Sequence, residues 1–462
     1  MPKQQHPTSP ARTVGRRLRA PLTAVAAASA LATLAACSGP GSDSGSGSAA
    51  NATPTAVNTA VADTPANLTL FSAAGLETYE QGLADAFMAK YPKIKVKLRV
   101  EADNNYNTVL PRLLASDSAP DLAAPSDLLG GVKDGLLTNL DAYDKAYGWS
   151  GKVPASALAP GRVSDGVIGS GSLYEAGGSA GPLVGVFYNK ALAAKVGMKT
   201  VPSSVSDLEA VMAKAKKSGI TPIVASNQDG LIGHLYNLLL GDYMGAQKLS
   251  DFVNHKPGAT LDTPAAVEAT KTLQKWIKAG YFASDVNALN QEASYGQFTG
   301  GKGLFFFQGS WITQTIDKTF KGKYGVFPMP PAEKGGKYAG MTSNTLAYSI
   351  AAHSKNKDAA ALFLNFLTSS EAAKVAVDNG YAAVTSDSGK TPSLSGTASE
   401  QIQTGYAAIA ADNGFDSWIQ NAAPAVNTKL PQQLQLLVSG KVEPAAMVKT
   451  LQTAYADALK SS

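Results

Sequence analysis

The side chains able to do chemistry in this chain are few. Its 462 residues hold four histidines and one cysteine. His234, His255 and His353 are scattered and unaccompanied, which argues against a histidine metal cluster. No His-Glu-x-x-His helix and no Gly-x-Gly-x-x-Gly turn opening a helix is present. Gly300-Gly301-Lys302-Gly303 lacks the Gly-x4-Gly-Lys-Ser/Thr spacing with which backbone amides cradle phosphate. The carboxylate pair of a glycoside hydrolase is defined by its separation in space, so sequence leaves that chemistry open. No metal or cofactor is expected. Binding chemistry is better supplied. A polyhydroxylated ligand needs flat aromatic faces against its C–H surfaces, and amides, hydroxyls and carboxylates around its rim. Several loops at the ends of predicted strands carry both.

The one thiol, Cys37, ends a segment that reads as an address. A basic stretch (Lys3, Arg12, Arg16, Arg17, Arg19) precedes an apolar one from about Pro21 to Leu34. The run Leu34-Ala35-Ala36-Cys37-Ser38-Gly39 resembles the bacterial lipobox, in which the thiol takes a diacylglyceryl group and cleavage leaves the cysteine first. Residues 1–36 are therefore expected to be a lipoprotein signal peptide, exported by the general or the twin-arginine route. The chain carries +5, and this segment holds five Lys/Arg and no Asp or Glu, so the remainder is neutral. A neutral body has no bulk electrostatic attraction to nucleic acid. No apolar run after Cys37 approaches the ~18–20 residues that span a bilayer. The lipid is the expected anchor, on the outer face of the bacterial cell membrane.

These groups need a scaffold. Residues 37–66 are Gly, Ser, Ala, Thr, Asn and Pro with little that is bulky and apolar, and read as a lipid-anchored flexible linker. Its root-mean-square reach is about 30 Å. From Asn67 about 395 residues remain, above the ~250–300 at which one core stops growing, so two lobes are expected. Leu68, Leu70 and Phe71 predict a first strand. The helical period from about Leu76 to Tyr91 places Leu83, Phe87 and Met88 on one face, and Pro92 ends it. Ile94, Val96, Leu98 and Val100 then alternate with Lys95, Lys97 and Arg99 as a half-buried strand. The three make one right-handed, parallel β-α-β unit. A second helix from about Tyr106 leads to a short strand at Pro120-Asp121-Leu122. Ser206 and Glu209 suggest a capping box, and Pro222-Ile223-Val224 the next strand. Thr263-Pro264 opens a helix with Ala266, Ala269, Leu273, Trp276 and Ile277 on one stripe. The alternation gives an α/β class.

Five stretches, in this order and spacing, resemble the extracellular solute-binding proteins of ABC importers, in the large sugar-binding family that includes the maltose-binding protein. They are the first β-α-β with Phe87 and Tyr91-Pro92; Pro120-Asp121-Leu122 followed by Asp127; and Val186-Phe187-Tyr188-Asn189-Lys190 with Val201-Pro202-Ser203. Then come 298–311, ending Gly309-Ser310-Trp311, and 324–331, leading to Ser349-Ile350-Ala351-Ala352 and an apolar helix over 359–367. The resemblance implies a two-lobe, type II periplasmic-binding-protein-like fold with discontinuous lobes, hinge strands and a ligand cleft. By analogy the lobes are 67–181 with 343–384, and 182–342 with 385–462, crossing near Gly181-Pro182, 340–344 and 380–385. They close on ligand by hinge bending. It further implies a monomeric, non-enzymatic receptor that captures a mono- or oligosaccharide and presents it to a membrane permease with a cytoplasmic ATPase. The same fold binding a polyamine or peptide, or a lipid-anchored glycoside hydrolase, stands as the alternative.

The family's site carries over to particular residues. Glu77 takes the place of a polar ligand contact after the first strand, and equally suits a first-turn glutamate favoured by the helix dipole. Asp127 lies where a carboxylate meets sugar hydroxyls. Trp311 matches the aromatic that stacks on sugar, with Ser310 beside it. Asn344 falls at the second crossing or in a turn. Trp418 lies where C-terminal loops reach the cleft, or packs between helices. Asn105, Tyr106 and Asn227 complete the set. His234, Trp149 and Trp276 read as packing residues. Two departures bear on the ligand: Ala123-Ala124 replace a common aromatic, and 166–181 is unusually rich in glycine.

Overall fold

A computed structural model describes Pro54 and residues 56–153, 158–178, 180–341, 347–383 and 392–461. Two sheets organise them. The first has the order β2-β1-β3-β14-β7, from strands Ile94–Glu101, Ala66–Ala73, Leu122–Ala123, Ala347–Ile350 and Ala176–Gly177. β1 runs parallel to both β2 and β3, with Ala66 opposite Ile94 and Leu70 opposite Leu122. The predicted β-α-β unit is therefore present, its helix spanning Glu77–Lys90. Alternation in β2 holds at Ile94 and Val96, which are buried, and fails at Val100, which is 45% exposed. β2 is the edge strand, so the pattern need not be paid for along its whole length, and its lysines discourage pairing with other chains.

The second sheet has the order β10-β11-β9-β12, from Thr221–Val224, Gly303–Gly309, Val184–Asn189 and Tyr324–Phe327. β10 is parallel to β11, and β9 is antiparallel to both its neighbours. Every residue of β9 and β11 is buried. Continuous apolar runs are what strands covered on both faces require. The chain builds the first sheet with β1–β3 and β7, crosses to build the second, and returns to insert β14 between β3 and β7. That order makes the lobes discontinuous. At the crossing, β8 (Ala180–Gly181) pairs with β15 (Ala382–Ala383), and β13 (Gly340–Met341) pairs with β16 (Phe415–Asp416). The glycine-rich stretch folds in part into a small antiparallel sheet of β4 (Arg162–Ser164), β5 (Val167–Ile168) and β6 (Ser172–Leu173).

Two expectations need correction. The folded body begins before Asn67: Val61 is buried in the core of the first sheet, Val57 and Ala62 pack against it, and Asn58 N–H donates to Asp358 Oδ1 at 3.2 Å. Small residues hid a segment that docks through two valines. The helix Val205–Lys217 is capped by Ser204, not Ser206; the Ser204 hydroxyl accepts from Asp207 N–H. Glu209 is occupied elsewhere, taking Trp276 Nε1 at 2.7 Å and Lys275 Nζ at 2.6 Å. Trp276 and Trp149 are core residues, as their positions indicated. No helix of the described residues is long and apolar enough to cross a membrane.

Candidate functional site

β11 delivers its last residue, Gly309, to a short 3-10 turn, Ser310–Ile312. The Trp311 indole folds back over Gly309 and lies where a Cβ on that residue would be, so only glycine fits there. Trp311 stays partly exposed and packs against the core clusters of both sheets, which places it between the lobes. Ser310 serves the crossing: its hydroxyl accepts from Leu183 N–H at 3.1 Å and its own N–H donates to Leu183 O at 2.8 Å. With no exposure left, Ser310 holds the turn and is not proposed as a ligand contact.

Beside Trp311 the helix Ile232–Met244 presents His234. Its ring lies 5.8 Å from Trp311, edge to face, and 5.0 Å from Trp418, tilted by 43°. Trp418 precedes a 3-10 turn, Ile419–Ala422, and is itself partly exposed. His234 is 3% exposed and among the described residues neither ring nitrogen has a hydrogen-bond partner; Trp418 Nε1 is likewise enclosed and without one there. Buried polar atoms are ordinarily paired, so three nitrogens without a partner among the described residues set this cluster apart from an ordinary packed core. Burial pushes the His234 pKa down to about 4, leaving the imidazole neutral at ordinary pH. A neutral imidazole offers one donor and one acceptor. His234 is buried among rings, in keeping with its reading as a packing residue, though nothing local in the sequence announces that two of those rings come from positions 311 and 418.

The other candidates are engaged locally. Tyr106 stacks on Phe71 at 4.9 Å, and its hydroxyl bonds to Phe71 O and to the backbone of Ala124, so it is a core residue. Asn227 is fully buried, its amide donating to Asn287 Oδ1 at 2.7 Å. Asp127 caps the short helix Leu128–Lys133 by accepting from Gly130 N–H at 2.8 Å. Glu77 accepts from Gly75 N–H at 2.6 Å, and exposed Asn105 reaches Glu101 at 3.5 Å. Asn344 lies outside the described residues. Gly177-Gly178-Ser179-Ala180-Gly181 has Gly-x-Ser-x-Gly spacing, but Ser179 lies outside the described residues, and the next described element is strand β8, where a nucleophile elbow leads into a helix.

Several buried acids were missed, Glu80, Glu175 and Asp416 among them. Glu80 lies on the apolar face of its helix with Leu83, Ala84 and Phe87; Tyr348 donates to its Oε1 at 2.8 Å, and burial lifts its pKa to about 7. Glu175, just before β7, is lifted to about 8 by burial. The position of Glu80 three residues before Leu83 was a legible signal. Among the described residues no group of three or more His, Cys, Asp or Glu is placed to hold a metal ion. A small cavity between β10 and the start of the 232–244 helix, lined by Ile223, Ala225, Leu231, Leu235 and Phe306, is mostly apolar and offers less than the three rings do.

Comparison with known proteins places this geometry. A family model for bacterial extracellular solute-binding proteins matches residues 73–374. A putative binding protein of Brucella abortus is 26% identical over 324 residues, covering 68% of this chain and 74% of that one. A maltooligosaccharide ABC transporter solute-binding lipoprotein of Streptococcus pneumoniae is 26% identical over 340 residues, covering 70% and 75%. The structure of a chitin oligosaccharide binding protein superposes with a TM-score of 0.68 at 22% identity, over 85% of this chain and 99% of that one. The fold is thus the two-lobe, type II periplasmic-binding-protein-like one. With both sheets inside or overlapping the matched span, the chain belongs to the bacterial extracellular solute-binding protein family.

Proposed function

We propose that this protein is the receptor of an ABC importer, capturing a mono- or oligosaccharide between its lobes and delivering it to a membrane permease. The carrying observation is the face made by Trp311, His234 and Trp418. Two indoles supply apolar planes for sugar C–H surfaces, with large area to bury. His234, enclosed and held neutral, backs the two indoles without adding a charge. These are uncharged groups, which suits a neutral sugar better than a polyamine. The names of the pneumococcal and chitin-oligosaccharide relatives agree with that class.

In this reading residues 1–36 direct export and a lipid on Cys37 holds the protein at the outer face of the membrane. The lobes, the first running to 181 and including the docked segment around Val61, with 343–384, and the second 182–342 with 385–462, close as one unit turns on the other. The paired strands β8 and β15 support a crossing there. Calorimetric titration with maltotriose, chitotriose, xylotriose, raffinose, spermidine and a tripeptide tests the substrate class. Saturable binding of a sugar is expected; binding of spermidine or the peptide alone would overturn it. Sustained release from a chromogenic glycoside would point instead to a hydrolase.

A further inference from the structure

The segment that carries Trp418 is held by the same helix that carries His234. Asn237 lies three residues after His234, within Ile232–Met244, and is fully buried. Its Nδ2 donates to Asp416 Oδ1 at 2.9 Å, and its Oδ1 accepts from the backbone N–H of Ile419 at 2.8 Å. One side chain therefore grips the chain on both sides of Ser417-Trp418. Only a primary amide offers a donor and an acceptor in one rigid plane at that span; a hydroxyl is too short, and a carboxylate cannot donate when ionised.

The surroundings leave this grip little freedom. Gly241, four residues after Asn237 on the same helix, has Asp416 Oδ2 lying where its Cβ would be. The Asp416 carboxyl thus rests directly on the helix backbone, an approach that needs glycine. Ser417 N–H donates to Ser250 Oγ at 3.1 Å on the neighbouring helix Ala246–Val253, and Asp416 pairs with Met341 across β16 and β13. Residues 416, 417 and 419 are each fixed by a hydrogen bond, and Trp418 between them has its side chain toward His234. These bonds hold the backbone on both sides of Trp418, while the second carboxyl oxygen of Asp416 is buried against the helix without a hydrogen-bond partner among the described residues.

We propose that Asn237 and Asp416 form a clasp that positions the Trp418 indole against His234, so that both are positioning residues of the ligand face. The inference rests on reading the three rings as that face. Burial holds the Asp416 carboxyl well above the usual carboxylate range, which makes asparagine a close mimic of it.

The test uses the full mature chain labelled with 5-fluorotryptophan, whose four tryptophans give four fluorine resonances, assigned by single Trp→Phe changes. Without ligand, Asn237→Ala and Asp416→Ala are each expected to shift or broaden the Trp418 resonance and leave those of Trp149 and Trp276 in place. Asp416→Asn, which keeps an acceptor for the Asn237 amide, is expected to return the Trp418 resonance toward that of the unaltered protein. In the alanine variants, affinity for maltotriose as the sugar probe is expected to fall about tenfold, the equivalent of one orienting contact. Should Asn237→Ala fail to fold, Asp416→Ala removes a single bond and carries the same measurement. A Trp418 resonance unmoved in the alanine variants, or all four resonances moving together, overturns the clasp. If the unaltered protein ignores maltotriose while the resonances respond as expected, the sugar reading has failed and the clasp stands.

Discussion

His234 and Glu175 show how burial alone sets the charge state of a group, and in opposite senses. His234 titrates at about 4 when folded and at about 6.5 when unfolded. Its contribution is full above the unfolded value and is lost as pH falls from there toward 4. Glu175 is raised to about 8 when folded, so the unfolded chain ionises first as pH rises from about 4.5. Stability then falls by about 1.4 kcal/mol per pH unit until the folded group ionises too. Glu175→Gln removes that dependence. Its melting temperature relative to the unaltered protein is expected to rise steadily between pH 5 and pH 8; a constant difference would mean that Glu175 is ionised in the folded state. At the proposed ligand face, Trp311→Ala and Trp418→Ala should each weaken binding of the sugar found by titration by about 1–3 kcal/mol in calorimetry. Tyr106→Phe, which strands backbone groups of Phe71 and Ala124, should instead cost about 1 kcal/mol of stability with affinity kept. Trp311 was legible in the sequence as an aromatic in an exposed turn, whereas Trp418 was left between a loop reaching the cleft and packing between helices. Tyr106 was misplaced because an aromatic hydroxyl beside two asparagines looks the same whether it faces solvent or a strand's backbone.

The elements carry their own lesson. Helix and strand periods located β1, the helix after it, β2 and the Thr263-capped helix, because each has one buried face that sequence can display. The crossing strands are two residues long and pair residues far apart in sequence, some 200 for β8 with β15, so no period announces them. What sequence did show there was glycine. Gly380 has φ +88°, and a Cβ on it would meet Thr313 Oγ1 and, at 2.7 Å, the backbone oxygen of Ser310. The second contact is with backbone and cannot yield cheaply. Gly380→Ala is expected to destabilise by about 2 kcal/mol or more, and to weaken ligand binding by pushing on the turn that carries Trp311. Gly440 has φ +67° and open space around it. Gly440→Ala should therefore show backbone strain alone, about 1 kcal/mol by thermal melting, with affinity unchanged. Equal loss of affinity in the two variants would count against any link between the crossing and the ligand face.

At the scale of the whole molecule, two lobes followed from length alone, and their discontinuity from the order in which strands enter the two sheets. The tether did not follow so simply, because composition cannot tell a leash from a segment that docks through small residues. Val61 is 7% exposed against the first sheet, and Lys93 pairs with Asp63 at 3.1 Å. The exposed ion pair adds little, whereas burying a valine contributes about 1.5–3 kcal/mol. A chain begun at Ala56 should therefore melt like one begun at Cys37, and a chain begun at Asn67 should lose about 2 kcal/mol or more. All three should bind ligand alike, since Trp311, His234 and Trp418 lie elsewhere. Cys37→Ser in the producing cell tests the other end of the same segment: the protein should appear in the medium with its affinity intact. Two acyl chains hold a protein firmly where one holds it marginally, so release should be nearly complete. If the Asn67 chain melted unchanged, the docking of Val61 would contribute nothing and the linker would extend to β1 after all.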